Sequence, residues 1–166
     1  MKLTSLTVLL PTLAAVVAAT LAGCATQALK PGDAVPFPEG YRRWFHVKSM
    51  VIEPGHPLYE SFGGIHHVYA NAAAERGLAT GVYADGAVFA FDLLATDEGG
   101  HAIQEGRRKV LGVMHKSAAA FASTGGWGFA GFTDDGKDVV TDMRGQCFQC
   151  HEGQRQNDYV FSRLRP

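Results

Sequence analysis

Two of the three cysteines in the 166-residue chain stand three positions apart near its C-terminal end, with a histidine directly after the second: Cys147-Phe148-Gln149-Cys150-His151. Whatever the chain folds into, it must bring two sulfurs and an imidazole to one place. A disulfide, a zinc site and covalent attachment of haem all use this spacing. A disulfide across so short a loop stabilises little and leaves His151 without a role. Redox motifs of this form open a helix in a strand–helix–strand setting early in a domain, whereas this one comes late. Structural zinc needs four ligands, normally as two separated pairs. Only His46, His56, His66, His67, His101 and His115 are available to complete such a site, and none shows partner spacing. The haem reading uses every residue of the motif: each sulfur joins a haem vinyl group and the following histidine coordinates iron. Residues three apart share one face of a helical turn, so both sulfurs can reach one porphyrin edge. The expected cofactor-binding residues are therefore Cys147, Cys150 and His151, with His151 as metal ligand to one covalent haem c per chain.

The start of the chain sets the compartment. Met1-Lys2 is followed by an apolar run from Leu6 to Leu21, interrupted by Thr7, Pro11, Thr12 and Thr20, and then by Leu21-Ala22-Gly23-Cys24. A basic start, an apolar run and small residues before a break make a secretory signal. The run falls short of the roughly 20 apolar residues that a spanning helix needs. "LAGC" resembles the bacterial lipoprotein cleavage box, which implies lipidation at Cys24; cleavage nearby, with Cys24 left as a stray thiol, is the alternative. Ala25 after the cysteine implies retention at the outer membrane. Acyl chains contribute about 0.8 kcal/mol per buried methylene, so several hold a domain on a membrane without a spanning segment. The expectation is a protein on the periplasmic side of the cell envelope, an oxidising compartment, attached to the membrane through lipid alone.

The remaining organisation divides into residues 1–23 as signal peptide, 24–40 as a flexible tether rich in proline and small residues, and 41–166 as the folded domain. A formal charge of -1, with 46% apolar and 19% charged residues, describes an ordinary globular domain with no field to recruit nucleic acid. Strands are expected at Trp44 to Ile52, Ile65 to Ala70, Ala87 to Leu94, Arg107 to His115 and Trp127 to Phe132. Helices are expected at 71–81, with Asn71 as N-cap, and at 116–124, stopped by Gly125-Gly126. Residues 134–145 read as polar and flexible. Strands without regular helix alternation predict an α+β fold: a largely antiparallel sheet with packed helices, and the haem bound near the C-terminus.

In this order the segments "YRRW" (41–44), "HHVYAN" (66–71), "YADGAVFAFDLL" (83–94), "TGGWGFAGF" (124–132), the cysteine motif and "DYVFSR" (158–163) are similar to the cytochrome P-460 family, which includes the cytochrome c′-beta proteins. The likeness spans about residues 41–163. It implies a largely antiparallel sheet holding a five-coordinate haem with one open iron face, and often a dimer. An open position binds nitric oxide, carbon monoxide or a nitrogenous substrate, whereas a six-coordinate haem passes electrons. The catalytic members oxidise hydroxylamine and carry a haem–lysine crosslink shortly before the aromatic-x-Asp-Gly turn. Here "NAAAERGLATGV" has no lysine, with Leu78 and Ala79 at the comparable positions; Lys48, Lys109, Lys116 and Lys137 lie elsewhere. The resemblance therefore implies a gas-binding or electron-transfer cytochrome, with hydroxylamine oxidation as the alternative. Its partners would be a small diatomic or nitrogenous ligand and a periplasmic redox protein.

Non-crosslinked relatives place apolar, often aromatic, side chains over the iron. Candidate walls of this distal pocket are Phe62, Leu78, Tyr83, Phe89 and Phe91, though ordinary core packing accounts for each as well. Possible sixth ligands are Met50, Met114, Met143 and the free histidines; of His66 and His67, adjacent in a strand, one faces inward. His115, at a strand end, is expected to be exposed. Asp92 points away from Phe89 and Phe91 and is expected to be solvated, or to handle protons if the sheet is covered on both sides. Trp127 is expected to pack either on the porphyrin or in the core.

Overall fold

The computed structural model describes residues 28–165. The expected signal peptide, Cys24 and the first residues of the expected tether lie outside them. Five strands form one antiparallel sheet in chain order: β1 (Phe45–Ile52), β2 (Gly64–Ala70), β3 (Val88–Gly99), β4 (Ala102–Lys116) and β5 (Trp127–Phe132). A single turn, α1 (Tyr59–Phe62), precedes β2, and α2 (Ala72–Thr80) follows it. The fold is thus α+β, as the strand-rich pattern predicts.

Both faces of the sheet are covered. One carries Val68, Phe89, Met114, Trp127 and Phe129 under α2 and the C-terminal segment. The other carries Val88, Ala90, Leu111, Val113 and Phe132 under the N-terminal segment and Phe121. β5 is buried at all six positions, which explains its unbroken apolar sequence. Each fully buried phenylalanine contributes about 1.5–3 kcal/mol, so Phe129 and Phe132 secure this edge strand from opposite sides.

The local signals in α2 act as read. The Asn71 side chain accepts from Ala74 N at 2.9 Å, and Gly81 closes the helix at φ 75°. Gly77, a poor helix former, is required by packing: a Cβ there would come within 2.1 Å of the Tyr83 ring.

Other expectations change. β3 and β4 run past Leu94 and begin before Arg107, because a polar hairpin extends beyond the covered sheet. Its tip, Gly100-His101, has φ of 57° and 61°, the backbone of a two-residue type I′ loop. Residues 116–124 form no α-helix. Ser117 N donates to Gly126 O at 2.8 Å, and the segment folds into turns with only a 3-10 turn at Ala122–Thr124. The tether is packed from Leu29 onward: Val35 is buried, the Phe37 ring meets Phe132 at 5.2 Å, and Ser117 Oγ donates to Leu29 O at 3.2 Å. His115 is buried, not exposed, and its burial holds it neutral by lowering its pKa.

Asp92 is the largest departure, being fully buried rather than solvated. Its carboxylate accepts from Tyr41 Oη, from Arg42 Nη2 at 2.8 Å and from Arg108 Nε at 2.7 Å. Arg108 Nη2 also donates to Tyr41 Oη at 2.6 Å. Burial alone would raise the Asp92 pKa, but the hydrogen bonds from Arg108, Tyr41 and Arg42 outweigh it and hold the group below its ordinary 3.8. This cluster clasps the N-terminal segment to the sheet face opposite α2.

Candidate functional site

The cysteine motif lies in a continuous helical run. It opens as a π-helix (Arg144–Phe148), passes through α3 (Gln149–His151) and tightens to 3-10 geometry over Glu152–Asn157. Phe148 is buried and fastens the run to the α2 side of the sheet, its ring 6.4 Å from Phe129 and 5.3 Å from Tyr159. Cys147 is half-buried against the same cluster and Cys150 is exposed; both are free thiols. Burial, with Asp138, Cys150 and Asp142 nearby, pushes the Cys147 thiol up to about 11. Among the described residues no group of three or more His, Cys, Asp and Glu is placed to hold a metal ion. A cleft of about 280 Å³ lies beside the run, lined by Asp142, Arg144, Gly145, Phe148, Gln149 and Glu152, and takes in neither thiol nor His151.

His151 is oriented from behind. Its Nδ1 lies 2.8 Å from Tyr159 O, and a carbonyl only accepts, so Nδ1 carries the proton. The lone pair is therefore on Nε2, the form in which imidazole binds a metal. Burial lowers the His151 pKa, against the raising effect of the Tyr159 carbonyl, and favours the neutral ring. Phe129 and Phe161 hold the ring from the sides, at 5.0 and 4.9 Å between centroids.

The turn that supplies this carbonyl is unusual. Asp158 and Tyr159 are consecutive non-glycine residues at φ 47° and 66°, which costs roughly 1–2 kcal/mol each. Asp158 is pinned at three points: Lys116 Nζ to its Oδ1 at 2.7 Å, Tyr83 N to its Oδ2 at 3.2 Å, and Trp127 Nε1 to its carbonyl at 2.9 Å. Sequence reasoning missed this arrangement. The only local signal is Asn157-Asp158, residue types that tolerate left-handed backbone.

On the sheet face below, the residues named as pocket walls separate into two groups. Leu78, Tyr83 and Phe89 are buried together with Trp127, which is fully enclosed and offers no free ring face. Phe62 and Phe91 are half-buried, their rings edge-to-face at 6.1 Å. Beside Phe91 the cross-strand row continues with Gly112 and then Gly131, so two neighbouring strands bear no side chain there. Among the sixth-ligand candidates, Met114 is core, Met50 is exposed on edge strand β1, and Met143 is half-buried.

His66 faces inward and His67 outward, where Ser49 and Glu105 meet it. The His66 ring packs on Phe91 at 4.7 Å, and its Nε2 contacts Phe62 O. That contact puts the proton on Nε2, leaving Nδ1 as a buried acceptor with no partner among the described residues. Burial lowers its pKa and keeps it neutral. Tyr83 Oη is likewise buried without a partner, and burial pushes its pKa up to about 12.

A family profile for Cytochrome P460 matches residues 38–162. The chain belongs to the cytochrome P460 family. No curated protein matches it. Membership makes this cytochrome P460 protein a haem cytochrome, and its residues fit that cofactor. Cys147 and Cys150 would hold the porphyrin edge and His151 Nε2 the iron. The haem would supply a redox-active metal. The buried, unpartnered atoms of His66 and Tyr83 also fit a face built to meet a further group.

Proposed function

We propose that the chain is a periplasm-facing, mono-haem c-type cytochrome with one open iron face, which binds nitric oxide or a similar small ligand and passes single electrons. The observation that carries this reading is His151 Nδ1 committed to Tyr159 O beside two free thiols, so that the chain offers one imidazole lone pair where two thioethers can form. In each attachment the sulfur bonds to one vinyl carbon and its proton passes to the other, so no oxidant is required. As walls of that open face, the half-buried Phe62 and Phe91 would favour neutral diatomic ligands, which need no hydrogen-bond donor. Cys24 would anchor the chain by lipid, and Cys24→Ser is expected to release the protein from membrane fractions; retention would remove lipidation as the anchor.

The second reading, oxidation of hydroxylamine, has one observation in its favour. α2 lacks a lysine, but Lys48 pairs with Val68 across β1 and β2, and burial, with the nearby Arg165, lowers its pKa toward the nucleophilic amine. Spectra of the reduced protein with and without nitric oxide and carbon monoxide separate the readings. A high-spin spectrum that shifts with both gases is expected. A low-spin spectrum indifferent to them would leave a six-coordinate electron carrier. A displaced Soret band, with haem found on a peptide containing Lys48, would establish the crosslinked enzyme instead.

A further inference from the structure

We propose that Lys116 and Asp158 are positioning residues for the iron ligand: their ion pair holds the Tyr159 carbonyl on His151 and thereby sets the strength of the iron–histidine bond. The proposal rests on the haem reading above. Lys116 ends β4, far in sequence from the motif, and is buried. Its Nζ sits 4.9 Å from the Trp127 ring centroid, 3.1 Å from Gly125 O and 2.7 Å from Asp158 Oδ1. The other Asp158 oxygen takes Tyr83 N, and the Asp158 carbonyl takes Trp127 Nε1. The Asp158–Tyr159 peptide is thereby fixed, and the next peptide, held by Val160 N donating to Asn157 O at 3.1 Å, turns Tyr159 O toward His151 Nδ1. Tyr159 N is held in turn by Gln154 O at 2.8 Å, which closes the loop onto the helical run that carries His151.

A carbonyl that accepts from Nδ1–H draws the proton away and makes Nε2 a stronger donor to the metal. A stronger donor stabilises ferric over ferrous iron. Letting the carbonyl swing free weakens the bond and favours the ferrous state. Second-shell losses of this kind are commonly worth about 10–100-fold in metal affinity. At the low end, a tenfold change in the redox equilibrium is about 59 mV for one electron.

The test uses the haem-loaded protein and two variants, Lys116→Met and Asp158→Asn, chosen because methionine keeps the apolar stem and asparagine tolerates left-handed backbone. Resonance Raman spectroscopy reads the ferrous iron–histidine stretch, and a redox titration reads the midpoint. Both variants are expected to move the stretch to lower frequency and the midpoint upward by about the tenfold equivalent, while Lys116→Arg stays near the parent. A pure charge effect would drive the variants in opposite directions, because one loses a cation and the other an anion. Opposite shifts overturn the proposal. So does a lower melting temperature with stretch and midpoint unchanged, since the pair is then only a fold clasp. Should Lys116→Met fail to accumulate, Asp158→Asn decides by its stretching band alone. Absence of an iron–histidine band from the haem-loaded parent would instead refute the open iron face on which the proposal rests.

Discussion

Asp92→Ala is expected to destabilise the domain by about 3–5 kcal/mol, the cost of removing one partner from a buried charge cluster. That is a large part of the roughly 5–15 kcal/mol that holds a typical domain together. The loss comes from what remains: Arg108, mostly buried, and Tyr41 Oη would face each other without the carboxylate that both now meet. Arg42, whose side chain is 52% exposed, adds little, since screened surface pairs are worth about 0–1 kcal/mol. Urea melts of the variant check the magnitude, and a loss below about 1 kcal/mol would mean that water replaces the carboxylate. Replacing Asp92, Arg108 and Tyr41 together by apolar residues is expected to recover much of the loss, because the desolvation cost then disappears with the charges.

The same cluster fixes the sign of a pH dependence. The folded Asp92 pKa lies below its ordinary value of 3.8. Its contribution is therefore fully present above that value and is lost as pH falls through the lower, folded value. Parent stability is expected to decline in that acid window, and the Asp92→Ala variant to decline less steeply there. Equal slopes would show that other carboxylates dominate acid unfolding.

The second large effect concerns the cofactor. Cys147→Ser together with Cys150→Ser is expected to abolish haem that survives denaturation, while either single change leaves one thioether and a weakened hold. Acid–solvent extraction reads this directly: colour should stay with the parent polypeptide and leave the double variant. Cofactor binding stabilises a fold by mass action, and covalent attachment keeps that stabilisation at any dilution. The double variant is accordingly expected to melt at a lower temperature than the loaded parent.

How much of this was legible in the sequence depends on how local each cause is. Asn71, Gly81 and the aromatic, β-branched runs of β1, β2 and β5 carry their structure in adjacent residues, and were readable. The alanine-rich stretch after Lys116 has helical composition, but a short helix is marginal alone. The pairing of Ser117 with Gly126 closes it into turns instead. The β3–β4 hairpin outruns the apolar pattern because its far half is solvated. Asp92 sits in an apolar strand, and its partners Tyr41 and Arg42 lie about fifty residues away, beyond any periodic signal. The site divides in the same way. Cysteine and histidine spacing is written in five consecutive residues. The orientation of His151, by contrast, depends on Tyr159, Asp158, Lys116 and Trp127, contributed by the C-terminal turn and two strands. Only the fold brings those together, so no reading of the motif alone supplies them.

The intact mass of the protein matured in a host able to attach haem, measured under denaturing conditions, tests the central claim most directly. One haem per polypeptide, retained after denaturation and mapped to the peptide bearing Cys147 and Cys150, is the expected result. A bare polypeptide mass, or haem that dissociates completely on denaturation, would contradict it.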